Sequence, residues 1–433
     1  MVKRKIIDRL IEWKNSENKR ALLIKGARQV GKTFIIREFG KTYYKNFIEI
    51  NFEKQVSARQ AFEGDLDART IILNLSLMGL GDFEEPDTLV FFDEIQSCPQ
   101  ARTAIKFLVE DGRFSYIESG SLLGINYKEV SSYPVGFEEQ VNMYPLDFEE
   151  FLWAKNITQE VINVLYEAYK NITPVDNFLH EQITKAYHEY LIVGGMPEVV
   201  KTFLGKDDFS ATLKIQHNIL NSYRDDISKY ANTQKILVKK MFDAIPEQLN
   251  KKNKRFIYAD LEKGVSARKY ENASMWMNEA GITYNCFNVS ALDISLSFNE
   301  KRNLYKLYLL DTGLLCALGY TGIQNALLLG DIGVNEGGIT ENAVAASLAK
   351  KGIPLYYYDK KSRQELDFLF IENSKLSIIE VKSGKENKKH ASLDHAYEIT
   401  KGKLNRRIVL SKYNIEKGIN GVIYYPLYMA MFL

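Results

Sequence analysis

A glycine-bounded loop near the N-terminus restricts the fold of this 433-residue chain more than any other feature. The apolar run at residues 21–24 predicts a buried strand, and a helical pattern follows Thr33. Successive backbone N–H groups in such a loop form an anion-binding nest, and the following helix N-terminus adds its positive dipole end. Gly26 and Gly31 permit backbone angles and close approaches that a Cβ atom would hinder. The loop therefore predicts a phosphate site in an α/β domain with a parallel sheet.

The loop carries the GxxxxGKT pattern of nucleotide-binding proteins, known as Walker A. In this pattern Lys32 contacts the β- and γ-phosphates of ATP, and the Thr33 hydroxyl binds Mg²⁺. The alternative is a chance occurrence in an ordinary loop, which the flanking strand and helix disfavour. ATP and Mg²⁺ are thus the predicted cofactors. The predicted nucleotide contacts in this loop are Gly26, Ala27, Arg28, Gln29, Val30, Gly31, Lys32, Thr33 and Phe34.

A second motif, typical of Walker B, follows the apolar run at residues 88–92, where Asp93 and Glu94 stand at the end of a predicted buried strand. Ligands of parallel α/β sheets bind at this edge. We predict that Asp93 holds Mg²⁺, directly or through water, and that Glu94 activates the hydrolytic water as a general base. A solvated acidic pair after a core strand is the alternative. Both motifs in this order predict nucleotide binding, with hydrolysis as the further expectation.

The next predicted strand ends in two small hydroxyl side chains, Ser119 and Ser121. Its place after Walker B is that of a sensor strand whose tip contacts the γ-phosphate. Either serine could supply that contact, and we include both among the predicted nucleotide ligands. A turn rich in small residues is the alternative.

Apolar periodicity divides the chain into four predicted domains. Residues 1–155 alternate short apolar runs with helical patterns, as in a parallel sheet flanked by helices. Residues 156–235 are mostly helical, with a break at Gly194 and Gly195, and residues 236–307 combine helices with a hairpin, which predicts a winged-helix module. Residues 308–433 contain a helix and several strand-like runs, which predict a second, smaller α/β domain.

Composition narrows the class of protein. The hydrophobic fraction of 45% and charged fraction of 26% are typical of a soluble globular protein, and the formal net charge of +2 neither favours nor excludes nucleic acid. The charged N-terminus lacks the apolar stretch of a signal peptide, and residues 421–433 are too few to span a bilayer. We therefore expect a cytoplasmic protein without membrane association.

The C-terminal part contains acidic residues and a lysine in the order E-x25-D-x12-E-x-K. Glu341 lies on a predicted helix, Asp367 in a strand, and Glu380 and Lys382 project to one face at the end of the next strand. Asp367 and Glu380 could share a Mg²⁺ ion, with Glu341 as a further ligand, while Lys382 activates water and stabilises a phosphorane. This pattern predicts a metal-dependent nuclease centre. The alternative is a nuclease-like fold that survives as a binding module.

A resemblance to a known family rests on ten segments. Together they resemble the bacterial and archaeal AAA-type ATPases that carry the C-terminal module DUF4143. The resemblance covers nearly the whole chain and implies an AAA-like P-loop ATPase core, a helical lid, a winged helix and a restriction-endonuclease-like domain. The segments are, in order, GARQVGKT, LVFFDEIQSCP, ESGSLLG, YPLDFEEFLWA, YLIVGGMPEVV, YRDDISKY, KLYLLDTGLL, TENAVAASL, ELDFLF and IIEVKSG.

One departure from this family affects the expected mechanism. Such ATPases often supply an arginine finger to a neighbouring subunit from the stretch that corresponds to residues 131–137, which holds no arginine here. Arg102 or Arg113 could substitute, although ordinary surface arginines are the simpler interpretation. The departure favours a slow switch, in which nucleotide state moves the lid about Gly194 and Gly195.

Two functions follow from these motifs. The first is an ATPase that couples nucleotide state to nucleic-acid binding or cleavage by the C-terminal domain, with DNA as the candidate partner. The second is a slow nucleotide-switched signalling or scaffold protein whose C-terminal domain only binds. Basic clusters at residues 251–255, 385–390 and 401–407 could meet a phosphate backbone, although charged loops are more often plain solvated surface. The sequence sets no oligomeric state.

Overall fold

The computed structural model describes residues 3–121, 134–206, 209–231, 234–261, 267–320, 322, 336–360, 364–384 and 388–433. The chain divides into two compact units. The first comprises residues 4–144, and the second comprises residues 145–433 together with the first residues of the chain. Among the helices of these described ranges, none has both the length and the hydrophobicity needed to cross a bilayer.

The first unit is built on a parallel sheet. Its five strands are ordered β2-β3-β4-β1-β5, and every neighbouring pair is parallel. This arrangement confirms the predicted parallel α/β core, and the apolar runs at residues 21–24 and 88–92 lie in strands of this sheet. The strands are β1 (Ala21–Gly26), β2 (Asn46–Asn51), β3 (Thr88–Asp93), β4 (Ser115–Ser121) and β5 (Glu138–Asn142), and the helices are α1 (Ile6–Lys14), α2 (Lys32–Tyr43), α3 (Ala68–Leu77) and α4 (Pro99–Asp111).

Strand β3 shows why these runs form a central sheet. All six of its residues are buried, as expected for a parallel strand covered on both faces by helices. Val90 and Phe92 pack with Ile50 and Phe52 and with apolar residues of α3 and α4. This packing brings the polar ends of β2, β3 and β4 to one edge of the sheet, where the candidate site lies.

Strand β4 carries a buried glutamate, whose burial disfavours the folded state. Glu118 has no exposed surface, and neither carboxylate oxygen has a hydrogen-bond partner in the part of the chain that the structure describes. Burial and the negative charge of Glu138 raise the pKa of Glu118 well above its usual value, although Arg102 opposes them. The pKa of Glu118 is therefore higher in the folded than in the unfolded state. Below the unfolded-state pKa the carboxyl group is protonated in both states, and its burial carries no charge penalty. The free energy of unfolding then falls as the pH rises towards the folded-state pKa.

We expect Glu118→Gln to raise the free energy of unfolding at pH 8 by about 1–3 kcal/mol, because the amide carries no charge that must be neutralised on burial. The gain should shrink towards pH 5, where the carboxyl group is increasingly protonated in the unfolded chain as well. Urea unfolding at both pH values measures the effect. Glu12→Gln, at an exposed ion pair with Arg9, is the control and should change little. A pH-independent difference would contradict the assignment.

The second unit begins with helices. The predicted helical stretch at 156–235 is confirmed, and further helices are distributed through the rest of the unit. The helices are α5 (Phe148–Ala154), α6 (Gln159–Asn171), α7 (Asn177–Val193), α8 (Pro197–Lys206), α9 (Phe209–Tyr230), α10 (Lys235–Asn250), α11 (Ala267–Glu279), α12 (Thr312–Gly319), α13 (Gly337–Lys350) and α14 (Ala391–Ile399).

The two glycines between α7 and α8 form a close-packed junction. The N–H of Gly195 donates to Asp311 (2.6 Å), and its carbonyl accepts from the N–H of Leu146 (2.7 Å). A Cβ atom on Gly194 would lie 2.1 Å from an Asp311 oxygen, and one on Gly195 would lie 2.0 Å from the Leu146 carbonyl oxygen. The sequence predicts a movable joint here, but the structure uses these glycines for close backbone contact. Movement of the lid about these glycines therefore stays a prediction.

A mixed sheet of eight strands forms the remainder of the unit, in the order β12-β13-β11-β10-β9-β8-β6-β7. Its hairpin β6–β7 was predicted as the wing of a winged helix. In the structure β6 also pairs in parallel with β8, so the hairpin extends the C-terminal sheet. The predicted boundary at residue 307 falls inside β7. The strands are β6 (Thr283–Val289), β7 (Glu300–Leu309), β8 (Tyr356–Asp359), β9 (Glu365–Glu372), β10 (Lys375–Val381), β11 (Leu404–Ser411), β12 (Glu416–Lys417) and β13 (Val422–Pro426).

Candidate functional site

The predicted phosphate loop joins the end of β1 to the start of α2. Gly31 precedes the helix with φ at 96°, a left-handed conformation that favours glycine. Gly26 is required for another reason, because a Cβ atom there would lie 2.3 Å from the carbonyl oxygen of Met143. Both glycines therefore have the roles that the sequence pattern predicts.

Lys32 is held inside this loop. Its Nζ atom donates to the carbonyl oxygens of Gly26 and Ala27, each at 3.0 Å. Burial lowers the pKa of Lys32 to about 8, although Glu94 and Asp93 oppose the shift. An anionic ligand in the loop would offset the cost of the buried ammonium group.

Asp93 is surrounded by polar side chains from three elements. Its carboxylate accepts hydrogen bonds from the Thr33 hydroxyl (3.2 Å), the Asn51 side-chain amide (2.8 Å) and the Ser119 hydroxyl. Thr33 and Asp93 thus place two oxygen donors beside the phosphate loop, and oxygen donors are those that Mg²⁺ prefers. The predicted residues Thr33, Asp93 and Ser119 are brought together here.

Asn51 was not predicted. It ends β2 opposite Asp93 in the sheet register, and its side-chain oxygen also accepts the backbone N–H groups of Glu53 and Lys54. These bonds fix the amide so that it donates to Asp93. A polar residue at the end of a buried strand next to Walker B was the available signal, because parallel strands end at one edge of the sheet.

Glu94 follows β3 in a left-handed conformation, with φ at 55°. Such angles are uncommon for residues other than glycine and cluster at functional sites. One carboxylate oxygen accepts a hydrogen bond from the side chain of Gln96. Burial raises the pKa of Glu94, although the Gln96 hydrogen bond opposes the shift. The side chain therefore stands next to Asp93 as a carboxylate of increased basicity, which suits a general base.

The other predicted loop and strand residues lie around this centre. Ser121 ends β4 opposite Gly26 in the register between β4 and β1. Val30 is fully buried, whereas the Phe34 side chain is 54% exposed and therefore free to contact a nucleotide. Gln29 adopts a positive φ of 66°, so the loop turns there as a phosphate nest does.

The C-terminal acidic residues are also brought together. Asp367 on β9 accepts the backbone N–H of Val381 (2.8 Å), next to Glu380 at the end of β10. Glu380 forms an ion pair with Lys382, so these two side chains lie on one side, as predicted. Glu341 lies on α13 and is fully buried.

These acids are contacted by two lysines that the sequence analysis does not assign to the nuclease centre. Lys306, fully buried on β7, lies 2.9 Å from Glu341 and 3.7 Å from Asp367, and Lys254 lies 2.6 Å from Glu341. Burial would raise the pKa of Glu341, but the two lysines outweigh it and lower that pKa to about 2. Burial and the Glu341 charge raise the pKa of Asp367, although the lysines oppose them.

Comparison with known proteins divides the chain in the same order. An AAA domain family matches residues 18–152, a domain of unknown function (DUF8612) matches residues 184–327, and the domain of unknown function DUF4143 matches residues 336–429. The chain carries an AAA domain and a DUF4143 domain. The resemblance predicted from the sequence motifs is therefore confirmed.

Three individual proteins are also similar to this chain over most of its length. The uncharacterized protein MJ1544 of Methanocaldococcus jannaschii is 26% identical over 385 residues, which cover 86% of this chain and 77% of that protein. The Walker-type ATPase PABY2304 of Pyrococcus abyssi has a TM-score of 0.43 at 14% identity, covering 73% of this chain and 96% of that one. The ORC1 protein of Aeropyrum pernix, solved in complex with DNA, has a TM-score of 0.27 at 13% identity, covering 75% and 92%.

The two arginines considered as substitute fingers in the AAA domain are both engaged. Arg102 is buried and makes two hydrogen bonds to Glu138, at 3.1 and 3.2 Å. Arg113 pairs with Asp111 at 2.6 Å but keeps 42% of its side chain exposed. Arg102 is thus a structural side chain of this domain, because removing it would leave the buried Glu138 uncompensated. In the stretch predicted to lack a finger, residues 131–133 lie outside the described residues.

In this conformation, the predicted acidic residues of the DUF4143 domain do not form a binding site for a divalent metal. Both oxygens of Glu341 are engaged by lysines, and one also accepts the Tyr308 hydroxyl. One Asp367 oxygen accepts a backbone N–H and the other faces Lys306. Within the described ranges, no group of three or more acidic, histidine or cysteine side chains is suited to a metal ion. The metal role of Glu341, Asp367 and Glu380 therefore stays a prediction.

Several residues of the predicted basic clusters are paired with acids. Pairs between exposed side chains contribute about 0–1 kcal/mol and would open readily for a phosphate group. Lys254 differs, since its partner is fully buried. Residues 385–387 of the second cluster lie outside the described residues. The pairs are Lys251 with Glu247 and Asp260, Lys254 with Glu341, Lys388 with Glu416, and Arg406 with Glu372.

Proposed function

We propose that this chain is a Mg²⁺-dependent ATPase whose nucleotide state controls binding of a macromolecular partner by its C-terminal part. The observation that carries the proposal is the convergence of Thr33, Asn51 and Ser119 on Asp93, beside the buried Lys32. Polar side chains from separate elements meet at the edge where ligands of parallel sheets bind. A purely structural role would not require a buried lysine at the start of α2 and a buried aspartate at the end of β3.

The residues divide the chemistry as follows. Lys32 binds the β- and γ-phosphates once they replace its loop carbonyl partners, and the backbone N–H groups of the loop complete the phosphate contacts. Thr33 and Asp93 would hold Mg²⁺, which would neutralise charge on the phosphates. Glu94 would accept a proton from the attacking water, and Ser119 and Ser121 would contact the γ-phosphate. Asn51 orients Asp93.

DNA is the partner that we propose to test first. Lys251 and Lys388, from two of the three clusters, support it, because their partners are surface acids that a phosphate backbone could displace. A second candidate function, nucleic-acid cleavage at Asp367, Glu380 and Lys382, is supported by the ion pair at the end of β10. The lysines that engage Glu341 favour binding over cleavage.

Binding of a labelled DNA duplex with ATP, with ADP and without nucleotide tests the coupling. We expect the affinity to depend on the nucleotide and to fall with a linear slope of log K against log salt, because phosphate contacts release counterions. Lys32→Ala should abolish the nucleotide dependence and keep the salt slope. Affinity that is the same in all three nucleotide states would contradict the coupling. DNA cutting with Mg²⁺ that Asp367→Ala removes would favour the second candidate.

A further inference from the structure

A buried lysine stands among three carboxylates in the second unit. Lys306 lies on β7 with 0% of its side chain exposed, and its Nζ atom is 2.9 Å from Glu341, 2.9 Å from Glu365 and 3.7 Å from Asp367. We call these three acids the acidic cluster. Lys306 comes from the part of the chain that matches DUF8612, whereas all three acids come from the part that matches DUF4143.

A fully buried ammonium group is stable only with such partners. Removing an ion from water costs several kcal/mol even after relaxation, and the cost is repaid only by close charges with good hydrogen bonds. Burial would lower the pKa of Lys306, but the carboxylates of Glu341, Asp367 and Glu365 outweigh it and raise that pKa well above its usual value. The contacts at 2.9, 2.9 and 3.7 Å thus place the Lys306 ammonium group at the centre of the acidic cluster.

The second oxygen atoms of Glu341 and Asp367 are also engaged. Lys254 lies 2.6 Å from the second oxygen of Glu341, and the Tyr308 hydroxyl donates to the first. The second oxygen of Asp367 accepts the N–H of Val381. A divalent ion needs several oxygen atoms at about 2.0–2.6 Å. It could bind here only if the ammonium groups left.

We propose that Lys306 serves as the built-in cation of the acidic cluster, in the place where a nuclease-like centre would hold a divalent metal, so that the natural protein does not bind Mg²⁺ or Mn²⁺ there. Lys254 assists by neutralising the other oxygen of Glu341. The inference does not rest on the proposed ATPase function, because the residues involved all lie outside residues 4–144.

The test is a Mn²⁺ titration of the full-length, nucleotide-free protein. The electron paramagnetic resonance signal of free Mn²⁺ measures how much of the ion is bound at each step. The natural protein and Asp367→Asn should bind the same amount of Mn²⁺. Lys306→Ala should gain one Mn²⁺ site, because it leaves carboxylates around an empty volume, and the double change Lys306→Ala with Asp367→Asn should lose that site again. Lys251→Ala removes a lysine whose acidic partners are at the surface and should gain no site.

Either of two results would overturn the proposal. One is Mn²⁺ binding by the natural protein that disappears in Asp367→Asn. The other is a folded Lys306→Ala protein that gains no Mn²⁺ site. If Lys306→Ala does not fold, the comparison of the natural protein with Asp367→Asn still decides. The rise in thermal midpoint from chelator to Mn²⁺ should also be the same for the natural protein and for Asp367→Asn, since a ligand that binds the folded state raises the midpoint and Mn²⁺ binding at the nucleotide site is common to both proteins.

Discussion

Glu94→Gln is expected to slow ATP hydrolysis by about 10²–10⁴-fold and to leave the affinity for ATP nearly unchanged. The amide cannot accept the proton of the attacking water, whereas it fills the same space as the carboxylate. Glu94 stands directly after β3 beside Asp93, and its pKa is raised by burial, so the natural side chain is a stronger base than an exposed glutamate. Single-turnover phosphate release measures the chemical step, and titration with a fluorescent ATP analogue measures the affinity.

Two other variants make this result specific. Glu53→Gln changes the same chemical group at an exposed side chain nearby and should hydrolyse ATP at the natural rate. Lys32→Ala should instead weaken ATP binding, by about 10–100-fold, because a charge-assisted contact to the phosphates is lost. If Lys32→Ala binds ATP as tightly as the natural protein, the phosphate-site assignment is wrong. If Glu94→Gln keeps the natural rate, another group is the base.

Gly195→Ala is expected to lower the free energy of unfolding of the second unit by at least about 3 kcal/mol, the upper part of the range for overpacking. The added Cβ atom would lie 2.0 Å from the carbonyl oxygen of Leu146 and 2.7 Å from its backbone nitrogen. These are backbone atoms and cannot rotate away as a flexible side chain would. The hydrogen bonds of Gly195 to Asp311 and Leu146 should break with the displacement. Urea unfolding followed by fluorescence reports the loss.

Gly205→Ala is the matched control for this substitution. Gly205 lies in α8, and a Cβ atom there would meet nothing within 4 Å. Alanine at an exposed helical position should stabilise by about 0.5–1 kcal/mol, because glycine loses more backbone freedom on folding. Equal and small effects at both positions would mean that the junction moves freely, as a hinge would. ATP binding should survive in both variants, since the nucleotide residues lie within residues 4–144.

Local patterns were sufficient to predict that Thr33, Asp93 and Ser119 come together, because the motifs are short and lie at strand ends. The loop at Gly26–Gly31, the acids after β3 and the serines of β4 all stand at strand ends, where order along the chain implies position in the sheet. Asn51 was missed because asparagine at a strand end is common, and only the register beside Asp93 gives it a role.

The ion pairs of the acidic cluster with Lys306 and Lys254 could not be predicted, because these lysines are distant from the acids in sequence. Lys306 is 35 residues from Glu341, and nothing in the KLYLL run distinguishes a buried ion pair from an exposed lysine on an edge strand. Lys254 was interpreted as part of a basic surface cluster, but its ammonium group reaches inward. The close packing at the glycine junction could not be predicted for a related reason. A glycine pair provides freedom or permits close contact, and only the neighbouring backbone of Leu146 decides between them.

The pairing of β6 with β8 determines where the chain can be cut for expression. A fragment that starts at residue 308 would lose β6 and almost all of β7, and would leave the edge of β8 without its hydrogen-bonding neighbour. Such an uncovered strand edge invites pairing with other copies and aggregation. The same cut would remove both Lys254 and Lys306 and leave the buried Glu341 without either of its cations. A soluble C-terminal fragment should therefore begin before Lys254, so that both lysines and the hairpin are retained.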